Sequence, residues 1–536
     1  MKARKRSKVR AEIAQPSYKP YIFTGLAFVV LAAFQTYGPA LHGPFVFDDF
    51  NLPFYNPLFP KEDFLSWITT VRPLLMFTFW LNYYWSGNDT FSYHVFGLIF
   101  HLLNSGLVYL IARRILQWEG LEAVRGEIAA VFAGTLFLMH PVQTESVAYI
   151  AGRSESLSGL FFLASFATFL YRRSPEIGWL RSLAVLVLYG AAVATKEHTI
   201  VLPALLVATD IWWVREQKWF AGLRRNWRLY VPLLASTPVA AVMVWRVVTG
   251  SKSAGFHIAG LGHPLTYFWT ECRAIFTYLK LAVFPIGQTI DYDVPWARSP
   301  WEPGTLLGLT AVGGLVIVAW IWRRRYPVAT FGIATFLLML APTSSFIPLA
   351  DPIAEHRMYL PMIGVALISA EALVRAVQGR ASLVTAAAAI IVIAAFVSYQ
   401  RNHVWGSESA LWTDAVAKAP DKQRGYSHLV HGLVREGHCK SALSLLDGLQ
   451  RRGKVDSTLL VHWSFALECV KDFGTAVDKL EQAVKVAPTP DLYLRIARLQ
   501  ARLMRVEEAK RSADRALELN PNLKAAHALR ANLNLL

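Results

Sequence analysis

The sequence predicts an all-α chain in two parts: a polytopic membrane helical bundle of about eleven spans, then a tetratricopeptide-repeat α-solenoid. Three observations predict it. Charge is unevenly spread: residues 401–536 carry 21 Lys+Arg and 15 Asp+Glu, the density of a soluble domain, whereas the first 400 residues carry only 55 of the 91 charges. Those first 400 residues hold apolar runs near the roughly 17–25 residues that one lipid crossing needs. The tail repeats itself with a period of 33–34 residues.

Residues 1–20 begin with a basic run, Met1 to Arg10, ahead of an apolar stretch over 21–41 that has no nearby small-residue cleavage site. A cytoplasmic N-terminus and a retained first span follow. Further spans are expected near 92–112, 126–139, 156–171, 180–195, 198–213, 229–248, 304–322, 327–341, 358–374 and 383–399. Short cytoplasmic loops are enriched in Lys and Arg. The N-terminus, Arg113 to Arg125, Arg172 to Arg181, Arg215 to Arg228, Arg323 to Arg325, and Arg375 with Arg380 all fall on one side if each span crosses once. The segment 267–284 would break that alternation and is assigned as re-entrant or interfacial. The loops around Asp48, His140 to Glu155, Lys196, Ser251 to His263, Asp291 to Glu302 and Pro342 to Tyr359 then face outward, as does the tail.

In that tail Ala442, Ala476 and Ala509, Ala483 and Ala516, and Pro488 and Pro521 recur at 33–34 residues. Small residues at helix crossings and a closing Pro are the tetratricopeptide pattern. Three repeats are expected, over 423–456, 457–489 and 490–524, after a helix at 408–419; Lys454 replaces the Pro of the first. The net charge of +17 lacks the aromatic-interleaved groove or zinc spacing of a nucleic-acid binder and reads instead as loop clusters plus a mildly basic tail. Cys272, Cys439 and Cys469 have neither CxxC spacing nor even number, so neither a metal cluster nor a disulfide scaffold is expected.

Four polar clusters share the outward side. Asp48 and Asp49 follow the first span directly; desolvation and a neighbouring charge both raise a carboxyl pKa, which suits a general base, although a solvated turn is equally consistent. His140 and Glu145 stand at i, i+5, off the common face a zinc helix uses, and a lone histidine is more often structural. Arg153 could grip an anion with its planar fork. Lys196 is costly at a membrane boundary unless it pairs with Glu197 or faces an anion in water. Glu355, His356, Arg357 and Tyr359 form the fourth cluster, with a snorkelling Arg as the plainer reading. Together they outline a pocket receiving an anionic lipid head and a polar acceptor.

Phe47-Asp48-Asp49, Arg72-Pro73-Leu74, Tyr93-His94, His101-Leu-Leu-Asn104, His140 to Glu145, Gly152-Arg153, Lys196-Glu197 and Glu355 to Tyr359, in this order and before a repeat tail, resemble the transmembrane and tetratricopeptide-repeat O-mannosyltransferases of the GT-C class. The resemblance implies a GT-C-like catalytic domain over 21–400 and extracytoplasmic repeats over 401–536. It implies transfer of a sugar from a polyprenyl-phosphate donor to a hydroxyl, with Ser/Thr of protein as the favoured acceptor. Asp48 or Asp49 matches the family's general base, Glu145 a second acid; Lys196, Arg153 and Arg357 would hold the lipid phosphate. Arg72, His94, His101, His140, Glu197, Glu355, His356 and Tyr359 are further pocket candidates. No essential cofactor is expected; a divalent metal on the carboxylates is the less favoured option. Direct displacement would invert the anomeric centre. A bacterial inner membrane with periplasmic repeats is favoured, the endoplasmic reticulum membrane being the eukaryotic equivalent. Competing readings are a lipid or cell-surface glycan acceptor, a non-catalytic scaffold whose repeats dock partners, and a transporter, which the lack of an evident inverted repeat disfavours.

Overall fold

A computed structural model of the chain describes residues 19–56, 59–61, 63–70, 72–172, 174, 176–213, 219–250 and 264–535. The basic start, Arg173, Arg215 and the expected outward loop at 251–263 lie outside them. The N-terminal part is built of α1 (Lys19–Tyr37), α2 (Phe64–Ile68), α3 (Pro73–Ser86), α4 (Thr90–Glu119), α5 (Ala123–Met139), α6 (Thr144–Ala148), α7 (Arg153–Leu170), α8 (Trp179–Thr195), α9 (Leu202–Trp213) and α10 (Trp219–Arg225). It continues through α11 (Trp227–Gly250), α12 (Pro264–Val283), α13 (Pro303–Trp322), α14 (Pro327–Leu340), α15 (Met362–Ala376) and α16 (Arg380–Val404).

Each expected span falls on a helix, but the count of eleven crossings is not established. By length and composition only α4, Trp227–Arg246 within α11, α13 and α16 can cross a bilayer among the described residues, and a fifth if α5 and the segment 141–148 form one span bent by 47°. The reason is length: α9 has 12 residues and α14 has 14, about 18 and 21 Å at 1.5 Å per residue, against a hydrocarbon core of about 30 Å. Apolar runs that look alike in sequence thus become both full spans and shorter helices packed among them. The segment expected to be re-entrant is a continuous 20-residue helix, α12, carrying Glu271, Arg273 and Lys280.

The core of this part gathers Ile111, Phe137, Phe162, Phe166, Phe331 and Met362 from α4, α5, α7, α14 and α15, all nearly inaccessible. Helices α14 and α15 touch backbone to backbone at Gly332 and Gly364, where a Cβ on either would collide with the other's carbonyl; small residues permit such approach. Arginines gather at one end of α5. There Arg125 donates to Val374 O and Val377 O, and Arg380 pairs with Glu122. The acidic segments lie beyond its other end, past His140, about 26 Å away along the helix.

The tail is α17 (Glu408–Lys418), then antiparallel pairs α18 (Gln423–Arg435) with α19 (Cys439–Arg451), α20 (Ser457–Cys469) with α21 (Phe473–Val486), and α22 (Pro490–Arg502) with α23 (Val506–Leu519), closed by α24 (Lys524–Leu533). Ala442, Ala476, Ala483, Ala509 and Ala516 are fully buried at the crossings, which explains the period: a larger side chain there would push the pair apart. Side chains of Asp456, Asp472 and Thr489 cap α20, α21 and α22. One expectation is overturned. Cys439 and Cys469 form a disulfide, Cα to Cα 6.0 Å, joining the start of α19 to the end of α20; Cys272 is buried and free. Spacing could not show this, because the helical turn brings together positions 30 residues apart.

Candidate functional site

The acidic loop opens with a 3-10 turn over Phe47–Asn51 that starts with Phe47 at φ 50°, a left-handed conformation that costs a bulky residue about 1 kcal/mol or more. Packing from the repeat domain holds it. The Phe47 ring lies 5.8 Å from that of Trp412 and 5.4 Å from that of His428, with the Arg424 guanidinium 5.1 Å above it. The turn sends the two carboxylates opposite ways. Asp49 is wholly buried, accepting from Val46 N at 2.9 Å and Ala151 N at 2.7 Å, and burial pushes it up to about 8. It ties this loop to the segment that follows α6. Asp48 stays exposed, its backbone N–H on Tyr149 Oη at 2.8 Å and its Oδ1 accepting from Asn51. Desolvation by the surrounding protein, with the Asp351 charge adding to it, raises the Asp48 carboxyl; a hydrogen bond from Tyr149, then His356 and Arg424, pull the other way. Of the two expected bases, Asp48 is exposed and Asp49 is not.

The segment after α5 folds back sharply, and Gly152 sits where a Cβ would meet Glu145 O and Tyr149 O at 2.9 Å. Glu145, 3% exposed, accepts from Glu355 N at 3.1 Å and lies 2.5 Å from His356 Nδ1. Glu355 is buried and accepts from Thr289 N, Gln288 Nε2 and Tyr292 Oη; burial raises it, Arg401 opposes, and nearby Glu145 adds to the rise. His356 remains about a quarter exposed.

Lys196 does not pair with Glu197, one of the two options the sequence left open. Its Nζ lies 2.6 Å from Glu155 Oε1 and 3.1 Å from Ser154 Oγ, and His198 Nε2 reaches the other Glu155 oxygen at 3.4 Å. Glu197 instead takes Arg72 in a bidentate pair, both bonds 2.9 Å; burial would raise its carboxyl, but Arg72 outweighs that and holds it low. Neighbours in sequence diverge because Lys196 is extended (φ −156°) and the next residue opens a 3-10 turn.

Other candidates are engaged in contacts within the chain. Arg153 is 1% exposed, donating to Tyr93 O and Thr78 O with its guanidinium 4.4 Å over Phe79, so it pins α7 to α3 and α4 and offers no face to a ligand. Arg357 donates to Pro352 O and Asp351 O and sits 3.8 Å from Glu271; it shapes its own loop. His94 bonds Gly43 O. His101 lies between Tyr359 Oη at 2.9 Å and Leu138 O at 3.1 Å, while Asn104 donates to the same tyrosine. His140 caps the 3-10 turn 141–143 through Val142 N. Among the described residues no three His, Cys, Asp or Glu side chains converge as a metal would require.

Sequence reasoning passed over Glu155, Asp291, Asp351 and Arg424. Glu155 was readable by charge compensation, since Lys196 needs a buried anion. The others join the two parts: Arg424 bridges Asp291 and Asp351, Lys422 adds to Asp291 at 2.5 Å, and Arg435 donates to Phe45 O. The repeats are thereby fastened over Asp48.

No family model matches the chain. It is similar to protein O-mannosyl-transferase F38B6.6 of Caenorhabditis elegans, 25% identical over 78% of this chain and 61% of that one, and to protein O-mannosyl-transferase TMTC3 of Mus musculus, 23% identical over 95% and 62%. The chain spans about three fifths of the length of these curated relatives. Among solved structures, ArnT from Cupriavidus metallidurans bound to undecaprenyl phosphate aligns over 87% of this chain and 80% of its own, at 16% identity and a TM-score of 0.40. The motif order and the similarity over most of its length agree: this chain is similar to the transmembrane and tetratricopeptide-repeat O-mannosyltransferases.

Proposed function

We propose that this chain is a GT-C-type membrane glycosyltransferase that moves a hexose, mannose by its relatives' activity, from a polyprenyl-phosphate donor to a Ser or Thr hydroxyl on the extracytoplasmic side. The observation that carries the reading is the divergence of Asp48 and Asp49: one carboxylate locks the loop, and the other stands open between the His356 cluster and the repeats.

In the step proposed, the acceptor hydroxyl oxygen attacks the anomeric carbon and its proton passes to Asp48. The bond from that carbon to the phosphate oxygen breaks, and the lipid phosphate leaves with the electron pair. Lys196 and Arg72, partly exposed cations at the same end, stabilise the charge that develops there, and a single displacement inverts the centre. Cationic side chains take the part a divalent metal could otherwise play. The extracytoplasmic side is supported by the Cys439–Cys469 disulfide, a bond that persists in oxidising compartments, and by the arginines at the far end of α5.

The test incubates the purified chain in lipid with radiolabelled polyprenyl-phosphate mannose and envelope extract. Label in protein that vanishes with Asp48→Asn supports the reading. Undiminished transfer by Asp48→Asn, or label confined to lipid or glycan, overturns it.

A further inference from the structure

A basic cluster stands at the far end of the bundle from Asp48. Arg114, closing α4, donates to Leu170 O and Arg172 O, which places the turn between α7 and α8 at the end where the arginines of α5 gather. The run of α7 from Glu155 to Leu170 is about 22 Å at 1.5 Å per residue, so this end is remote from the acidic loop. Buried hydrogen bonds brace the cluster. Asp210 accepts from Arg172 and from Tyr230, both at 2.6 Å, and from Asn226, whose own Oδ1 accepts from Ile177 N at 3.0 Å. The loop before α8 is thereby tied to the start of α11. On this frame the Trp179 and Trp227 rings meet edge to face, 5.4 Å between centroids, and the Arg228 guanidinium lies 6.0 and 5.9 Å from them.

Arg228 differs from an arginine that snorkels freely to water. It is partly buried, and its Nε is sealed from solvent without a partner, as are Arg172 Nη1 and Ser182 Oγ, the last one turn along α8 from Trp179. Orphaned donors around one cluster call for an acceptor. Arg181 and Arg224 add charge, and among the described residues neither meets a carboxylate. Of the acids near them, Asp210 is committed to Arg172 and Glu176 is exposed on the loop. From the arginines an apolar strip leads along the two helices that start here: Leu180, Leu183 and Val187 on α8, and Val231 and Leu234 on α11, all more than half exposed. Their spacing puts each set on one helix face. Cations at the head of an exposed apolar strip match an amphiphile with a phosphate head and acyl chains.

We propose that Arg228, with Arg181 and Arg224, binds the phosphate of an anionic phospholipid whose acyl chains lie along α8 and α11, a site separate from the one that handles the sugar donor. A planar guanidinium can fork onto two phosphate oxygens while its face stays on tryptophan. The proposal does not depend on sugar transfer, because binding is read with no donor present. The purified full chain in detergent is titrated with phosphatidylglycerol, and bound lipid is counted by native mass spectrometry; phosphatidylcholine with the same acyl chains and inorganic phosphate form parallel arms. One saturable phosphatidylglycerol is expected, bound at least about tenfold tighter than phosphatidylcholine and not displaced by inorganic phosphate. Arg228→Gln should raise its Kd at least about tenfold. Arg181→Gln and Arg224→Gln, at positions outside the core, should each raise it about threefold, so misfolding of the Arg228 variant does not decide the matter. Arg324→Gln with Arg325→Gln, both exposed after α13, removes two charges elsewhere and is expected to leave Kd unchanged. Equal affinity for the two lipids, displacement by inorganic phosphate, an unchanged Kd in all three single variants, or an equal loss in the Arg324 and Arg325 variant overturns the proposal.

Discussion

Glu145 and His356 are joined by one hydrogen bond, Oε1 to Nδ1 at 2.5 Å, across 211 residues of sequence. Glu145 spends its second oxygen on Glu355 N, so one carboxylate fixes both the backbone and the imidazole of the 355–356 segment. His356 in turn faces Asp48 closely enough to act on its charge. Glu145→Gln leaves volume unchanged but removes the anion that holds the imidazole. A loss of alignment of this kind costs on the order of 10²-fold. We expect kcat for sugar transfer to fall by about that factor while KM for donor moves less than about threefold, measured by initial rates over a donor series.

Asp48 and Asp49 separate by readout. Asp48→Asn is expected to lower kcat about 10²–10⁴-fold with little change in the thermal unfolding midpoint, because its exposed side chain accepts from Asn51 and meets Tyr149 without filling the core. A base works deprotonated and the Asp48 carboxyl is raised, so the acid limb of kcat/KM should lie above the usual carboxylate value of about 3.9. Asp49 behaves oppositely. Its pKa of about 8, against 3.8 for the free side chain, means that its contribution to stability is full below about pH 4 and lost as pH rises through 8. Calorimetry between those limits should show a midpoint that declines with pH in the native chain and declines less in Asp49→Asn.

Much of this arrangement was legible in the sequence, and the failures share a cause. Helix-forming runs, the repeat period and the residues that crowd around Asp48 follow from local composition, because apolar length, buried alanines and outward acids each leave a mark within one segment. Partner choice did not follow. Lys196 passes over its neighbour Glu197 for Glu155, and Arg424 meets Asp291 and Asp351 only because the repeats fold back over the bundle. Asp48 and Asp49 were indistinguishable until the turn at Phe47 was seen to point them apart. The number of crossings is not established, because an apolar run of 14 residues and one of 25 differ only in length, which unaided hydropathy blurs.

Lys196 gives a prediction about charge rather than proton transfer. Removing it leaves the buried Glu155 without its cation and facing the His198 and His356 imidazoles, so Lys196→Ala combines a loss of cation at the proposed leaving phosphate with a poorly compensated acid. The companion change Lys196→Arg keeps the charge. We expect transfer to fall about 10²-fold or more in the alanine variant and to recover substantially in the arginine one, and EDTA treatment of the native chain to leave the rate unchanged. A rate abolished by EDTA and restored by Mg²⁺ or Mn²⁺ would assign the leaving-group charge to a metal.

The Cys439–Cys469 bond closes a loop of 30 residues, for which chain entropy gives about 3–4 kcal/mol. Cys439→Ser with Cys469→Ser is expected to lower the unfolding free energy of the repeats by that amount. In intact cells both thiols should resist a thiol-reactive maleimide until a reductant is added, as befits a repeat domain outside the reducing cytosol. Prompt labelling without reductant would place the repeats on the other side.

Arg424 couples the repeats to the loop that carries Asp48, and its removal should be felt at both ends. Asp291 is buried, so Arg424→Ala leaves it with Lys422 alone; charged hydrogen bonds of this sort contribute about 1.5–3 kcal/mol. Phe47 loses the cation above its ring, one of the contacts that hold its left-handed backbone. The loop carrying Asp48 is then freer to relax. We expect faster proteolysis between residues 405 and 423, a fall in kcat, and non-additive effects when Arg424→Ala is combined with Asp351→Asn, since the two side chains are in contact at 2.8 Å. Additive effects, with proteolysis unchanged, would mean that the repeats are fastened by α17 and Arg435 and that the loop keeps its shape without Arg424.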